Sequence, residues 1–343
     1  METAAAAPSA NTAYSRYATK EEPNHRYAAQ EREALDAVER ISRETGWEVV
    51  ADEKGVEITR KDVPGRPLGI LRGIGIIEGF SPIEFYGASQ LPGCRVVCAH
   101  FHLCLIPSNF FVGDPLFESG RAVSMLGPRS ILSYASSKGQ WPTSGRDFCL
   151  VLGTRTREDG TIIGAGCAVE DPLVPTVSGK VRGEIKLNGW LIEPLSDNRG
   201  VRVVNVNDID LKGSIPGSII KMVANKIPLC VYSIRKYLLQ HGPPPYPVLM
   251  GGLLRATPDF DHESSRFTLD FDVDDSLGGE THVFVSDKRY KSGYTGTLSA
   301  GTLRKGTCHT GGATDMGALQ AWARAFWTTA FWCWSTRTWV ASA

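Results

Sequence analysis

The sequence predicts an α+β fold in which a curved antiparallel β-sheet is gripped by one long C-terminal α-helix. Two observations lead to this prediction. Between residues 56 and 206, short segments of alternating apolar and polar residues follow one another, separated by turn residues. From residue 216 to 239, apolar residues recur every three or four positions, as in an amphipathic helix. One long helix can cover one face of such a sheet and leave a cavity beneath it, which is the helix-grip architecture.

Two further helices are predicted before most of the strands. Residues 28–45 place Leu35, Val38 and Ile41 at helical spacing among charged residues. A short helix begins at Ser81, which is followed by a proline at the first helical position and by Glu84 as the partner in a capping box.

The strands are predicted from alternation and from the turns between them. They cover residues 56–60, 68–77, 120–126, 130–136, 147–157, 161–169 and 201–206. Residues 180–186 and 190–194 flank Asn188-Gly189, a dipeptide typical of two-residue hairpin turns, so a hairpin is predicted there.

The long helix at residues 216–239 would be roughly 36 Å long, and Pro228 predicts a kink in it. No acidic residue occurs between residues 211 and 240. Its basic residues are Lys221, Lys226, Arg235 and Lys236. Such a helix could close an apolar cavity and dock on an anionic membrane, or it could be a core helix with a solvated basic rim.

Composition narrows the class of protein. The chain has 343 residues, is 42% hydrophobic and has a formal net charge of zero, so bulk charge does not favour nucleic-acid binding. Its eight cysteines are scattered, and the first 26 residues contain no apolar run typical of a signal peptide. No apolar stretch reaches membrane-spanning length. We therefore expect a cytoplasmic protein with reduced thiols and transient membrane association.

Several motifs in sequence order resemble the START domain, the lipid-transfer domain related to the steroidogenic acute regulatory protein. They are Gly139-Gln-Trp141-Pro with Arg146-Asp147, then Lys180-Val-Arg182-Gly-Glu184, Gly189-Trp190-x-Ile192-x-Pro194, and Asp208-x-Asp210-Leu-Lys212-Gly213 before Ile215-Pro216. Trp47, Gly55-Val56-x-Ile58 and Leu71-Arg72-Gly73 match on the N-terminal side. The resemblance covers about residues 30 to 240. It implies that one lipid or sterol is bound in an internal tunnel, with the C-terminal helix as lid and membrane contact.

Three parts of the chain are predicted on this basis. Residues 1–27, rich in Ala, Ser and charge, are expected to be disordered, and residues 28–245 to form the START-like domain. Residues 246–343 are a C-terminal extension with two alternating strands, 266–273 and 281–285, and an aromatic-rich tail. The tail can be interpreted as an interfacial membrane anchor or as out-of-frame translation, and the second interpretation is favoured.

The candidate lipid-binding residues have different physical grounds. An apolar cavity needs apolar walls, which favours Ile219, Met222, Val223 and Ile227 of the long helix. Arg182 and Glu184 are two residues apart and share a strand face, where they could pair with neighbouring strands or meet a lipid head group. Trp141 is also included, although packing at a strand entrance is favoured for it over lipid contact.

Structural roles are predicted for Arg146, Asp147 and Trp190. Arg146 and Asp147 are neighbours on a strand, so their side chains point to opposite faces and each needs another partner.

The segment from Cys94 to Phe111 interrupts the family pattern, and it is interpreted as an inserted loop or as translated intron sequence. Cys98, His100, His102 and Cys104 would share one strand face but span roughly 20 Å, too far for one tetrahedral zinc ion. No metal site, cofactor or catalytic residue is therefore predicted.

Three functions remain in consideration at this point. The favoured one is a non-enzymatic lipid carrier or sensor whose partners are a sterol or phospholipid and an anionic membrane surface. The alternatives are a helix-grip enzyme, such as a cyclase or hydrolase acting on a hydrophobic substrate, and a membrane-attached lipid-sensing tether. The sequence contains no nucleophile elbow, HExxH or glycine-rich phosphate loop, which argues against the enzyme.

Overall fold

The computed structural model describes residues 17–91, 117–139, 143–197, 199–213, 216–250, 252–256, 258–273, 280–298, 302–309, 317–324 and 336–342. The helices are α1 (Ala28–Arg43), α2 (Pro82–Gln90), α3 (Gly217–Lys226) and α4 (Cys230–His241). The domain's strands are β1 (Glu48–Glu53), β2 (Val56–Val63), β3 (Arg66–Glu78), β4 (Phe117–Gly127), β5 (Ser130–Ser137), β6 (Gly145–Thr156), β7 (Ile162–Ala168), β8 (Lys180–Arg182), β9 (Glu184–Pro194) and β10 (Gly200–Asp210).

One large antiparallel sheet organises the domain. Its strand order is β1-β2-β3-β10-β9-β7-β6-β5-β4, and the short β8 pairs in parallel with β6. Successive side chains point to opposite faces, which β9 illustrates. Leu187 and Leu191 pack with Val38 of α1 on the outer face. Trp190 and Ile192 pack with α2 and α4 on the inner face. The α+β helix-grip prediction is confirmed.

The predicted short helix α2 forms as expected. Ser81 and Glu84 make the capping box, and the backbone N–H of Ser81 donates to the Glu84 carboxylate at 2.8 Å. This satisfies one of the amides that a helix start leaves unpaired.

The effect of Pro228 is larger than the predicted kink, because the long helix is divided into α3 and α4. Proline has no N–H to donate. The chain passes the break through tighter bonds between residues three apart: Leu229 N–H donates to the Lys226 carbonyl and Cys230 N–H to the Ile227 carbonyl, each at 3.2 Å.

The break between α3 and α4 packs against β3 at Gly73. A Cβ atom on Gly73 would lie 2.6 Å from the carbonyl oxygen of Pro228, and one on Gly75 would lie 2.8 Å from the Val231 side chain. A real Cβ atom does not approach a backbone oxygen that closely, so residue 73 must be glycine for the helix to approach the sheet, while a Cβ at residue 75 would force the Val231 side chain to shift.

The predicted hairpin at Asn188-Gly189 is wrong, because both residues lie in the middle of the continuous strand β9. Each of them has a strand partner on both sides; Asn188, for example, pairs with Asn207 and Gly166. Gly189 serves a close approach instead of a turn, since a Cβ there would lie 2.2 Å from the Val38 side chain of α1.

Packing of the N-terminal segment begins before residue 28, inside the segment predicted to be disordered. Arg26 donates to the Asp171 carboxylate at 2.6 Å, and Tyr27 is buried with its hydroxyl on the same carboxylate at 2.7 Å. Tyr17 is buried too, with its ring 5.7 Å from that of His282. Residues 1–16 lie outside the described residues.

The C-terminal extension contains two small sheets. Its strands are β11 (Tyr246–Leu249), β12 (Gly252–Leu254), β13 (Asp259–Asp261), β14 (Arg266–Val273), β15 (Glu280–Ser286), β16 (Thr295–Leu298), β17 (Thr302–His309), β18 (Gly317–Arg324) and β19 (Thr336–Ser342). The two strands predicted in this region, β14 and β15, belong to different sheets. The aromatic tail lies partly outside the described residues, and its described parts are the strands β18 and β19.

Arg289 joins the extension to the end of α4. Its guanidinium donates to the Tyr237 hydroxyl at 3.0 Å and to the carbonyl oxygens of His241 and Gly242 at 3.1 and 3.3 Å. It also donates to the His262 carbonyl at 3.2 Å. The last carbonyls of a helix have no partner within it, so this arginine caps α4 from outside the domain.

A shared apolar core reinforces this contact. Phe260, Phe267 and Phe271 of the extension are buried in one cluster with Tyr237 and Leu238 of α4. An ion pair also joins the extension to α2, where Lys288 donates to the buried Glu84 carboxylate at 2.9 Å.

We expect the docking of the extension to depend on pH through His262. Burial, with the nearby Arg289 and His241, lowers the pKa of His262 from 6.5 to about 4. Between these values the unfolded chain binds a proton that the folded chain does not. The contribution of His262 to the free energy of unfolding is therefore fully present above pH 6.5 and is lost as the pH falls towards 4.

This expectation is measurable by urea unfolding at pH 7 and pH 5. His262→Asn, which keeps a hydrogen-bond acceptor without the titrating ring, should lose less stability than the wild type over that interval. Equal losses in the two proteins would contradict the assignment.

Candidate functional site

The inner face of the sheet and the helices α3 and α4 enclose an apolar interior. Nine buried residues form one packed hydrophobic cluster there, called the apolar lining below: Leu68, Leu71, Ala135, Phe148, Leu150, Ile185, Ile209, Ala224 and Ile227. They come from β3, β5, β6, β9 and β10 and from the α3 end of the break. The interior therefore offers apolar walls on both the sheet side and the helix side.

Ile227 is the predicted lid residue that the structure places in this lining, with its side chain fully buried. Ile219, Met222 and Val223 lie on α3, but their side chains are outside the described set, as is that of Lys221. Trp141 lies outside the described residues.

A row of polar side chains crosses the apolar inner face. Asn188 donates to the Asn207 carboxamide oxygen, and Asn207 donates to that of Asn205 at 2.6 Å. Asn205 in turn donates to the Gly189 carbonyl at 3.0 Å, and its oxygen accepts from the Cys230 thiol of α4 at 3.3 Å. The three asparagines are at most 2% exposed. Sequence reasoning missed them, although their in-facing positions could be read from strand alternation.

Trp190, predicted to be structural, lies in the same row. Its backbone pairs with that of Asn205, and its ring is 5.6 Å from Phe85 of α2 in an edge-on arrangement. The side chain is 2% exposed.

Arg146 and Asp147 take separate partners, as their opposite directions require. Asp147 is 1% exposed and forms an ion pair with Arg182 at 2.9 Å. Arg146 donates to the carbonyl oxygens of Leu211 and Lys212 at 3.2 and 3.1 Å. Burial lowers the pKa of Arg146. These contacts fix β6 to β8 and to the segment that leads into α3.

Arg182 and Glu184, the two predicted polar lipid contacts, both have protein partners. Besides Asp147, Arg182 donates to the Pro175 carbonyl at 3.0 Å. Glu184 pairs with Lys212 at 2.7 Å, and Lys212 also pairs with Asp210 at 2.8 Å. The hydrogen bonds that Lys212 donates to Asp210 and, with a smaller effect, to Glu184 raise the pKa of Lys212 to about 12.

The basic residues of α3 and α4 leave part of their charge unneutralised. Lys236 is exposed, and Lys226 and Arg235 are partly exposed. Within the part of the chain that the structure describes, none of these three forms an ion pair with a carboxylate.

Neither a metal cluster nor a membrane-spanning helix is found among the described residues. No group of three or more His, Cys, Asp or Glu side chains there is arranged to hold an ion. The cysteines and histidines of residues 98–104 lie outside the described residues. No helix in the described ranges is both long and apolar enough to cross a bilayer.

Removing Arg182 should destabilise the fold, because it leaves the Asp147 carboxylate buried without its cation. We expect Arg182→Gln to lower the free energy of unfolding by about 2–3 kcal/mol. Arg199→Gln removes an arginine from an exposed pair with Asp197 and should cause no measurable change. Urea unfolding of the lipid-stripped proteins measures both. Unchanged stability of Arg182→Gln would show that the ion pair does not support the fold.

Comparison with known proteins places this architecture in a family. The START domain family profile matches residues 114–241. Mouse StAR-related lipid transfer protein 5 is 28% identical over 224 residues, which are 62% of this chain and 97% of the mouse protein.

Two solved structures share the fold. Human StAR-related lipid transfer protein 5 matches with a TM-score of 0.51 at 22% identity, over 62% of this chain and 96% of its own. Human STARD10 matches with a TM-score of 0.50 at 16% identity, over 60% of this chain and 78% of its own. The sequence motifs, the gripped sheet and these matches agree, and the chain contains a START domain.

Proposed function

We propose that this chain binds a single lipid or sterol molecule between the inner face of the sheet and helices α3 and α4, and transfers or senses it at membranes. The observation that carries the proposal is the apolar lining of this interior in a chain that contains a START domain. The mouse and human relatives are named lipid transfer proteins, which supports the same function here.

Burial of hydrocarbon would supply the binding energy. Each CH₂ group removed from water contributes about 0.8 kcal/mol, and the apolar residues around Ile227 and Ala224 can receive it. In this proposal Ile219, Met222, Val223 and Trp141 contribute further lipid contacts.

Arg182 and Glu184 are proposed to meet the lipid from the rim of the interior. Part of each side chain, 26% and 41% respectively, is exposed outside its ion pair. Both would act while still held by Asp147 and Lys212, so their contribution to lipid binding would be secondary to the apolar wall.

Membrane contact is assigned to the basic residues Lys221, Lys226, Arg235 and Lys236. A lysine or arginine near an anionic bilayer contributes about 1 kcal/mol, and unneutralised cations contribute most. The chain would be cytoplasmic and would meet the membrane transiently through α3 and α4.

The proposed function is non-enzymatic, and the inner polar groups support this. Asn188, Asn205 and Asn207 do not titrate, so these buried polar groups of the inner face offer neither a general acid nor a general base. The tether alternative depends on the aromatic tail, much of which lies outside the described residues.

Native mass spectrometry of the full chain, followed by lipid extraction, tests the proposal. We expect one lipid per chain after incubation with mixed vesicles, and the same lipid delivered unaltered to acceptor vesicles. A folded chain that stays empty would contradict lipid binding. Chemically altered lipid would support the enzyme alternative instead.

The membrane contact has its own test in vesicle sedimentation. Replacing Lys226, Arg235 and Lys236 with Gln should reduce binding to phosphatidylserine vesicles, with little effect on phosphatidylcholine vesicles, because only the electrostatic attraction is lost. The matched control replaces three exposed basic residues elsewhere, Lys20, Arg32 and Lys186, with Gln. Equal losses in both variants would show that net charge, and not this face, attracts the membrane.

A further inference from the structure

The polar row on the inner face has more hydrogen-bonding groups than the fold uses. Across β9 and β10, Asn188 pairs with Asn207 and Trp190 pairs with Asn205. We call these four side chains the inner polar row. They point to the face that α2, α3 and α4 cover, and apolar residues surround them.

Each carboxamide of the row donates one hydrogen bond among the described residues, although each has two N–H groups. Asn188 donates to Asn207, Asn207 to Asn205, and Asn205 to the Gly189 carbonyl. One N–H of each asparagine is therefore left over within the described chain. The Asn188 oxygen likewise accepts no bond from those residues.

Trp190 gives a second, independent observation. Its indole nitrogen is buried and has no hydrogen-bond partner among the described residues. A buried donor without a partner costs about 1–3 kcal/mol, so native proteins rarely keep one without a use. This donor lies on the same face as the unused carboxamide groups.

Charged side chains of β10 and of the segments that contact its C-terminal end are already engaged in other contacts. Asp208, the neighbour of Asn207, forms an ion pair with Arg66. Arg146 is held by backbone carbonyls, and Lys212 by two carboxylates. The row itself contains no cation, so a phosphate would lose its hydration there without gaining a counter-charge. Neutral oxygen atoms would gain N–H donors at no such cost.

We propose that the inner polar row binds the polar end of a neutral lipid through a hydroxyl, ester or amide oxygen. The Trp190 indole and the free carboxamide N–H groups donate to that oxygen, and the Asn188 oxygen accepts from a hydroxyl. The hydrocarbon part of the lipid lies along the apolar lining near Ile227. This inference rests on the proposed lipid-binding function and adds the class of head group.

The test uses the full chain and phosphatidylcholine vesicles that contain equal fractions of cholesterol, ceramide, diacylglycerol, phosphatidic acid and phosphatidylserine. The protein is re-isolated, and its lipid is identified by mass spectrometry. We expect one of the three neutral lipids to predominate. Retention of phosphatidylcholine or an anionic lipid would overturn the head-group assignment and leave the proposed function intact. A protein without lipid would overturn both.

Trp190→Phe removes the unpaired donor and replaces the indole with a smaller aromatic ring. We expect neutral-lipid occupancy to fall about five- to tenfold, the equivalent of one hydrogen bond, and Tm to fall somewhat, because Trp190 is fully buried and the smaller ring leaves a gap. Trp47→Phe is the matched control, because the Trp47 indole nitrogen is also buried without a partner in the described residues but packs with the α1 cluster on the outer face. Equal occupancy in the wild type and Trp190→Phe would overturn the inference.

A double variant tests the asparagines in the same way. Asn188→Leu combined with Asn207→Leu removes both partners of one hydrogen bond, which limits the loss of stability. We expect it to lose the preference for neutral lipids over their hydroxyl-free analogues, measured with cholesterol against cholestane. An unchanged preference in this variant would contradict the inference.

Discussion

The carbonyl of Pro228 lies against the backbone of Gly73, and the arrangement of the inner side of the domain depends on this contact. Any side chain at Gly73 would meet the carbonyl oxygen at 2.6 Å, so the helix break and the sheet can approach only where one of them has no Cβ. The contact fixes where α3 ends and where α4 begins. It also places Cys230 over Asn205, since the thiol follows the break by two residues.

Proline and glycine thus act together across two elements that are far apart in sequence. Pro228 interrupts the helix, and Gly73 in β3 allows the interrupted segment to pack directly on the sheet. The polar row lies on β10, which pairs with β3, and on β9, the next strand beyond it. The most polar part of the interior is therefore covered by the least regular part of the helical layer.

Local signals were sufficient for some elements and not for others. The capping box of α2 and the amphipathic pattern of α1 depend on residues three or four apart, and both helices form as predicted. The Asn188-Gly189 hairpin signal is equally local, but pairing on both sides of β9 and the contact of Gly189 with Val38 override it. A local sequence pattern does not predict such contacts with residues that are distant along the chain.

The candidate site shows the same limit. Strand alternation predicted that Arg146 and Asp147 need separate partners, and the structure confirms it. Alternation could not name those partners, because Arg182 and Leu211 come from other elements. In the extension two strands were predicted but not their pairing, for a related reason, since β14 pairs with β19 some 70 residues later, as Phe267 and Ala341 show.

The contact between Arg289 and the end of α4 has a consequence for where the protein can be divided. The family match ends at residue 241, at the last turn of α4. Beyond it, Arg289 caps the helix, and Phe260, Phe267 and Phe271 complete the core around Tyr237. A chain cut at the family boundary would expose that side of α4 to water. The segment recognised by homology is therefore smaller than the unit that folds together. In this protein the end of the family match does not coincide with the end of the packed core.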